Sequence, residues 1–164
     1  MGMELDRTHR TGDVQIRLAR MADAGPIGLM SRDLIETGLP WSWRPERVAR
    51  QIRCPDTVAL IAALRQLTLG FAIMHFREED AYLLLLGVRP AWRRAGIGGR
   101  LMRWLEKSAL VAGIATIHLE ARAASGGARA FHRALGYEEV SLVPGYYCGR
   151  ETAVRMARDL RPRS

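Results

Sequence analysis

Residues 82–105, YLLLLGVRPAWRRAGIGGRLMRWL, constrain what this chain can become more than any other stretch. The apolar run 82–86 has the length of a strand buried on both faces. Gly87-Val88-Arg89-Pro90 stops it, and Arg93-Arg94-Ala95-Gly96-Ile97-Gly98-Gly99 follows. Ile97, Leu101, Trp104, Leu105 and Ala109 then recur at helical spacing. Buried strand, glycine-rich basic turn and amphipathic helix come in that order. Such a unit aims backbone N–H groups and a helix N-terminus at a bound anion, most often a phosphate or pyrophosphate. Residues 89–103 carry five arginines (89, 93, 94, 100, 103) and no acid, which suits a polyanionic ligand.

The rest of the chain is arranged around this unit. Residues 1–13 read as a flexible N-terminal arm and 14–164 as one domain, long enough to bury its own core. Residues 14–20 alternate as a first strand. Asp23 can cap a helix that tolerates Pro26 in its first turn and ends at Gly38. Residues 39–44 form a loop whose Trp41 and Trp43 either cover the core or wall an acceptor pocket. Pro45 starts a short helix through Ile52. Residues 57–65 and 68–77 are two strands close enough for a hairpin, although Gln66-Leu67 lacks the usual turn residues. Glu78-Glu79-Asp80 leads into the central strand, and Gly113 closes its helix. Residues 115–122 form the next strand, and Ser125 can cap a helix over 127–135 with Gly136 just past its end. Residues 137–143 and 151–160 are two last strands joined by 144–149. The order β α α β β β α β α β β predicts an α/β (α+β) domain of three layers on a mixed sheet.

Composition excludes some classes. The formal charge of +8 suggests nucleic acid at first sight. Every basic residue but Lys107 is an arginine, however, and they are scattered instead of forming a stripe interleaved with aromatics. No apolar stretch has the length of a membrane span, and the polar N-terminus predicts no secretory signal. Cys54 and Cys148 lack metal-ligand or disulfide-framework spacing, so no metal is expected and a reducing cytoplasm is the expected location.

Three phosphate-binding motifs compete for the turn. A P-loop needs a lysine that is not there. A dinucleotide turn G-x-G-x-x-G finds Gly96 and Gly98 but Leu101 in third place, although Glu120 ends the next strand where a ribose-binding acid would stand. Arg93-x-x-Gly96-x-Gly98 instead has the [Q/R]-x-x-G-x-[G/A] form, and in this the chain resembles the GNAT superfamily of N-acetyltransferases. The resemblance covers about residues 14–160, including Val88-Arg89-Pro90 before the turn and the helix Phe131-His132-Arg133-Ala134-Leu135-Gly136-Tyr137. Within the superfamily, Leu119-Glu120-Ala121-Arg122-Ala123 and Gly145-Tyr146-Tyr147 with Glu151-Thr152-Ala153-Val154-Arg155-Met156 look like the bacterial ribosomal-protein-alanine N-acetyltransferases.

The resemblance implies a mostly antiparallel central sheet flanked by helices, and acetyl-CoA as cosubstrate. The implied activity transfers acetyl to a primary amine, a peptide N-terminus or a small molecule, by direct attack in a ternary complex. The alternative is a non-catalytic acyl-CoA sensor. Acyl transfer requires that the donor be held, its carbonyl polarised, the amine deprotonated and the thiolate protonated. Arg93, Arg94, Ala95, Gly96, Ile97, Gly98 and Gly99 would surround the pyrophosphate. By resemblance, Leu86, Gly87 and Val88 would pair with the pantetheine arm, with the Val88 N–H on the thioester carbonyl. Glu120 shares a strand face with His118 and Arg122. It is expected to be partly buried with a raised pKa and to act as base through water; the plainer reading is a salt bridge to Arg122 or another arginine. His132 stands where the family has its acid tyrosine and is expected to face the cleft. The donor is then His132, Tyr146 or Tyr147, or solvent. Ser125 stands where the family often has an asparagine on the cofactor. The acceptor would lie against variable loops such as 37–45 and 143–150, and a homodimer is compatible with the sequence.

Overall fold

The computed structural model describes residues 12–161, so residues 1–11 of the expected arm lie outside the described residues. Seven strands, β1 (Gln15–Leu18), β2 (Thr57–Leu64), β3 (Leu67–Phe76), β4 (Asp80–Val88), β5 (Thr116–Arg122), β6 (Glu138–Tyr147) and β7 (Glu151–Asp159), form one sheet in the order β1-β2-β3-β4-β5-β7-β6. The α-helices are α1 (Ala24–Met30), α2 (Pro45–Arg53), α3 (Ile97–Val111) and α4 (Gly126–Ala134). β4 and β5 run parallel, with α3 as their crossover, while β1–β2, β5–β7 and β6–β7 are antiparallel. The mixed sheet expected from the element order forms, mostly antiparallel as the resemblance implied. Backbone packing groups the residues into two compact units.

Of the described residues, the first unit holds 12–74 together with Leu85–Leu105. Its strand β2 is buried from Ala59 to Ala63, because an unbroken apolar run serves both faces. Ile27, Val48, Phe71, Ile73, Ile97 and Leu101 fill the core of this unit. The first helical stretch differs from the single helix expected. A 3-10 turn (Met21–Asp23), α1 and a π-helical turn (Ser31–Ile35) follow one another, and Gly38 ends the stretch at φ 79°. Asp23 caps one turn earlier than expected. Its carboxylate accepts from the Arg20 N–H at 2.7 Å and from Arg17 at 2.7 and 3.1 Å, and makes no cap bond to α1. The hairpin turn that lacked glycine is made by Arg65, which takes the left-handed conformation at φ 55°.

Two expectations about the central stretch need correction. β4 is not buried on both faces, since Ala81, Leu83, Leu85 and Gly87 are buried while Tyr82, Leu84, Leu86 and Val88 stay partly exposed. All the residues of 82–86 are apolar, so the alternation was invisible in the sequence. In α3 the buried stripe is Ile97, Leu101, Met102, Leu105 and Ala109, and Trp104 points outward, 39% exposed.

The second unit comprises His75–Leu84 and, of the described residues, 106–161. Ile117, Leu119 and Ala121 of β5 and Val154 and Met156 of β7 are buried, which leaves His118, Glu120 and Arg122 on the opposite face as the alternation predicted. β6 is longer than expected. It runs on through Pro144-Gly145 to Tyr147, with a register shift between Val143 and Tyr147 and Gly145 at φ 71°. An edge strand tolerates proline there because no partner needs its missing N–H. Among the described residues Cys54 and Cys148 are free, no group of side chains could hold a metal ion, and no helix is long and apolar enough to cross a membrane.

Candidate active site

In the first unit the glycine-rich turn is built as the spacing required. After β4 the Arg89 N–H donates to the Leu69 carbonyl at 2.8 Å and Arg89 Nε to the Thr68 carbonyl at 2.6 Å, fastening the strand end to β3. A 3-10 turn (Pro90–Trp92) follows, and Arg93 Nε reaches back to the Val88 carbonyl at 3.3 Å. Arg94 at φ 65° and Gly96 at φ 80° then turn the chain into α3 at Ile97. Left-handed conformations just before a helix point successive N–H groups toward one side, the arrangement that binds anions. Arg100 Nη2 donates to the Val14 carbonyl at 2.8 Å, so this arginine also anchors α3 to the residue before β1.

Glycine at 70 and 87 is required by close approach. A Cβ on Gly70 would stand 2.9 Å from the Gly87 carbonyl oxygen, and one on Gly87 would stand 2.7 Å from the Phe71 ring. Only at these positions can β3 and the Leu86-Gly87-Val88 end of β4 lie so close. The sequence singled out Gly87 and missed Gly70, whose constraint comes from a residue seventeen positions later.

The Trp41–Trp43 loop is held from within the same unit. Glu36 is buried, and its carboxylate accepts from Ser31 Oγ at 2.9 Å, from Ser42 N and Oγ at 2.8 and 2.6 Å, and from the Trp43 N–H. Trp41 Nε1 donates to the Gly28 and Trp43 carbonyls, and the Arg32 and Arg44 guanidinium groups lie 5.4 and 4.8 Å from its ring centre. Trp43 is buried with Arg47 at 3.9 Å over its ring.

In the second unit Glu120 lies on the partly open face of β5, its side chain 17% exposed, and Arg155 Nε donates to it at 3.3 Å. Arg122, named as the plainer partner, instead grips Glu151 at 2.6 and 2.7 Å and holds that carboxyl below its ordinary range. Tyr147 stands opposite Glu151 across β6–β7. Its phenol is pushed above the ordinary 10.0, first by burial and then by the negative surroundings of Tyr146 and Glu120, against the opposing pull of Arg122. It therefore holds its proton at neutral pH. His118 stacks on Tyr82 with ring centres 4.9 Å apart and lies 3.5 Å from Asp80.

Two candidates lose the setting that the sequence suggested. His132 is 6% exposed, edge-on to Phe131 and Tyr137, and its Nδ1 has no hydrogen-bond partner. Burial pushes its pKa down to about 4, so the expected imidazolium donor facing a cleft is a neutral core ring at pH 7. Ser125 is the N-cap residue of α4 but makes no side-chain cap bond. Arg155 and Glu151 were missed as site residues. Their signal is the cross-strand register of β5 with β7, which exists only once the strand order is known.

A mixed seven-stranded sheet whose parallel pair is linked through this turn defines an α/β protein that offers a helix N-terminus to an anion. The chain belongs to the Acetyltransferase (GNAT) family, whose profile matches residues 30–137. The ribosomal protein bS18-alanine N-acetyltransferase of Escherichia coli strain K12 is 36% identical over 91 residues, which are 54% of this chain and 62% of that relative. Its counterpart in Haemophilus influenzae is 33% identical over 93 residues, with 54% and 63% covered. The matching segment thus spans less than two thirds of the length of these relatives. The crystal structure of the ribosomal-protein-S18-alanine N-acetyltransferase from Escherichia coli superposes with a TM-score of 0.79 at 25% identity, over 92% of this chain and 96% of that one. Ard1 from Thermoplasma volcanium shares the fold at a TM-score of 0.81 and 20% identity, over 92% and 99% of the two chains.

Proposed function

We propose that this chain is an acetyl-CoA-dependent N-acetyltransferase that moves an acetyl group to a primary amine by direct attack in a ternary complex. The observation that carries this reading is the turn, with Arg94 and Gly96 left-handed immediately before α3, in a chain of this family. The amides of Arg93, Arg94, Ala95, Gly96, Ile97, Gly98 and Gly99 take the pyrophosphate of the donor. Leu86, Gly87 and Val88 receive its pantetheine arm, and the Val88 N–H polarises the thioester carbonyl.

Glu120 acts as the general base, taking one proton from the acceptor ammonium so that the freed amine can attack the thioester carbon, and the second nitrogen proton leaves to solvent as the amide forms. Tyr147 replaces His132 as the donor that protonates the departing thiolate, since a half-buried phenol near a carboxylate stays protonated while a buried imidazole is neutral. Because the relatives are named for the alanine of a ribosomal protein, a peptide with a free amino-terminal alanine is the first acceptor to try. Two free cysteines fit the reducing cytoplasm as its place of work.

Purified chain mixed with acetyl-CoA and a panel of amines, that peptide included, should release CoA thiol. Glu120→Gln should lower turnover while acetyl-CoA still raises the unfolding temperature, since a ligand at 100 times its Kd adds roughly 2.7 kcal/mol. No thiol release with any amine, together with a normal acetyl-CoA shift, would leave a binding module and end the enzyme reading.

A further inference from the structure

Two ion pairs cross from β5 to β7 on the face that carries Glu120, and they differ in kind. Arg122 holds Glu151 through two bonds of 2.6 and 2.7 Å, its side chain 22% exposed. Arg155 stands directly opposite Glu120 in the ladder and reaches it once, through Nε at 3.3 Å. Its side chain is 53% exposed. The first pair is short and bidentate, a fixed element of the face. The second is single, long and solvated, the kind of pair that contributes little to stability. Arg155 can swing into water, while the more covered carboxylate stays where it is.

An alkyl amine arrives in neutral solution as an ammonium ion, a compact cation that seeks the same carboxylate oxygen. We propose that Arg155 is a displaceable counter-ion of Glu120, paired with the carboxylate in the free protein and exchanged for the ammonium of the acceptor on binding. The proposal rests on the reading of Glu120 as the base. Arg155 touches neither the donor nor the reacting atoms in this scheme; it is a positioning residue that acts through Glu120. While paired, it keeps the empty site from holding another cation. Once displaced, it leaves Glu120 in contact with the nitrogen it must deprotonate. The exchange lowers acceptor affinity by the strength of the pair it breaks, and the residual positive charge favours acceptors without further cationic groups beside the amine.

The test is steady-state kinetics with a short peptide bearing a free amino-terminal alanine, at saturating acetyl-CoA, on wild type, Arg155→Ala, Arg155→Gln and Arg155→Lys. With the competitor removed, the KM for peptide should fall about two- to five-fold in the Ala and Gln variants, with kcat changing less. Arg155→Lys should keep the wild-type KM. An unchanged or higher KM in the Ala and Gln variants, at wild-type unfolding midpoints, overturns the exchange, and so does a lowered KM in the Lys variant. Glu120→Gln in the same assay separates the two readings. If it turns over like wild type, the base assignment falls; if it is slow while Arg155→Ala leaves KM unmoved, only the exchange falls. Absence of turnover with this peptide and with every amine of the panel overturns both.

Discussion

The Tyr137 hydroxyl donates to Glu106 Oε2 at 3.0 Å, inside the core of the second unit. Arg158 Nη1 donates to the same oxygen at 2.7 Å, so a buried carboxylate is both hydrogen-bonded and charge-paired. Tyr137→Phe removes one of those bonds and should cost about 1–2 kcal/mol by urea unfolding at neutral pH. Burial, and then the Glu106 charge, push the Tyr137 phenol above its ordinary 10.0. Above pH 10 the unfolded chain loses this proton and the folded chain keeps it, so stability falls as pH rises further. That alkaline fall should be smaller in Tyr137→Phe; an equal fall would place the titration elsewhere.

His132 gives the opposite window. Its folded pKa is depressed from 6.5 to about 4 by burial, so between those values the unfolded chain binds a proton that the folded chain refuses. Its contribution is complete above pH 6.5 and is lost as pH falls toward 4, amounting to about 3 kcal/mol. His132→Phe also removes the unpartnered Nδ1 and should flatten this acid slope in urea midpoints measured across the window. A slope as steep as wild type would mean that the ring is hydrated in solution.

Tyr147→Phe tests the proton donor. Loss of a positioned acid should lower kcat about 10²-fold or more while leaving acetyl-CoA affinity nearly unchanged. Undiminished kcat would return the role to His132 or to solvent.

Two glycines should respond oppositely to the same change. Gly70→Ala puts a Cβ 2.9 Å from the Gly87 carbonyl, and relief must come from the backbone that the donor is proposed to meet. Both stability and acetyl-CoA affinity should drop. Gly127→Ala, in α4 with nothing within 4 Å, should stabilise by about 0.5–1 kcal/mol. Calorimetric titration and thermal melts of the two variants decide it.

Glu36→Gln should loosen the tryptophan loop. Every bond to Glu36 comes from a donor, and an amide offers its own N–H groups to at least one of them. The expected loss is about 1–3 kcal/mol of stability, with a change in tryptophan fluorescence. A wild-type melt and spectrum would show that the loop is held by the Trp41 stacking instead.

Much of the site was legible in local spacing. Arg93-x-x-Gly96-x-Gly98 announced a turn that needs left-handed backbone, and the alternation over residues 115–122 put Glu120 on the partly open face because strand period is a local property. Spacing could not say which side of β4 stays covered, because both faces are written in leucine. It could not show that Gly70 serves Gly87 either, since their closeness arises from strand pairing.

By itself the sequence determined the order of the elements, the family and the glycine-rich turn, because each rests on residues within a turn or a strand of one another. Which arginine meets Glu120, and whether residue 132 carries a charge, were decided only by the tertiary structure. The first depends on the register that sets Arg155 opposite Glu120 from a strand 35 positions away, and the second on the burial of His132 beside Tyr137. Ion pairing and desolvation act through space, and neither is written in the spacing of residues along a chain.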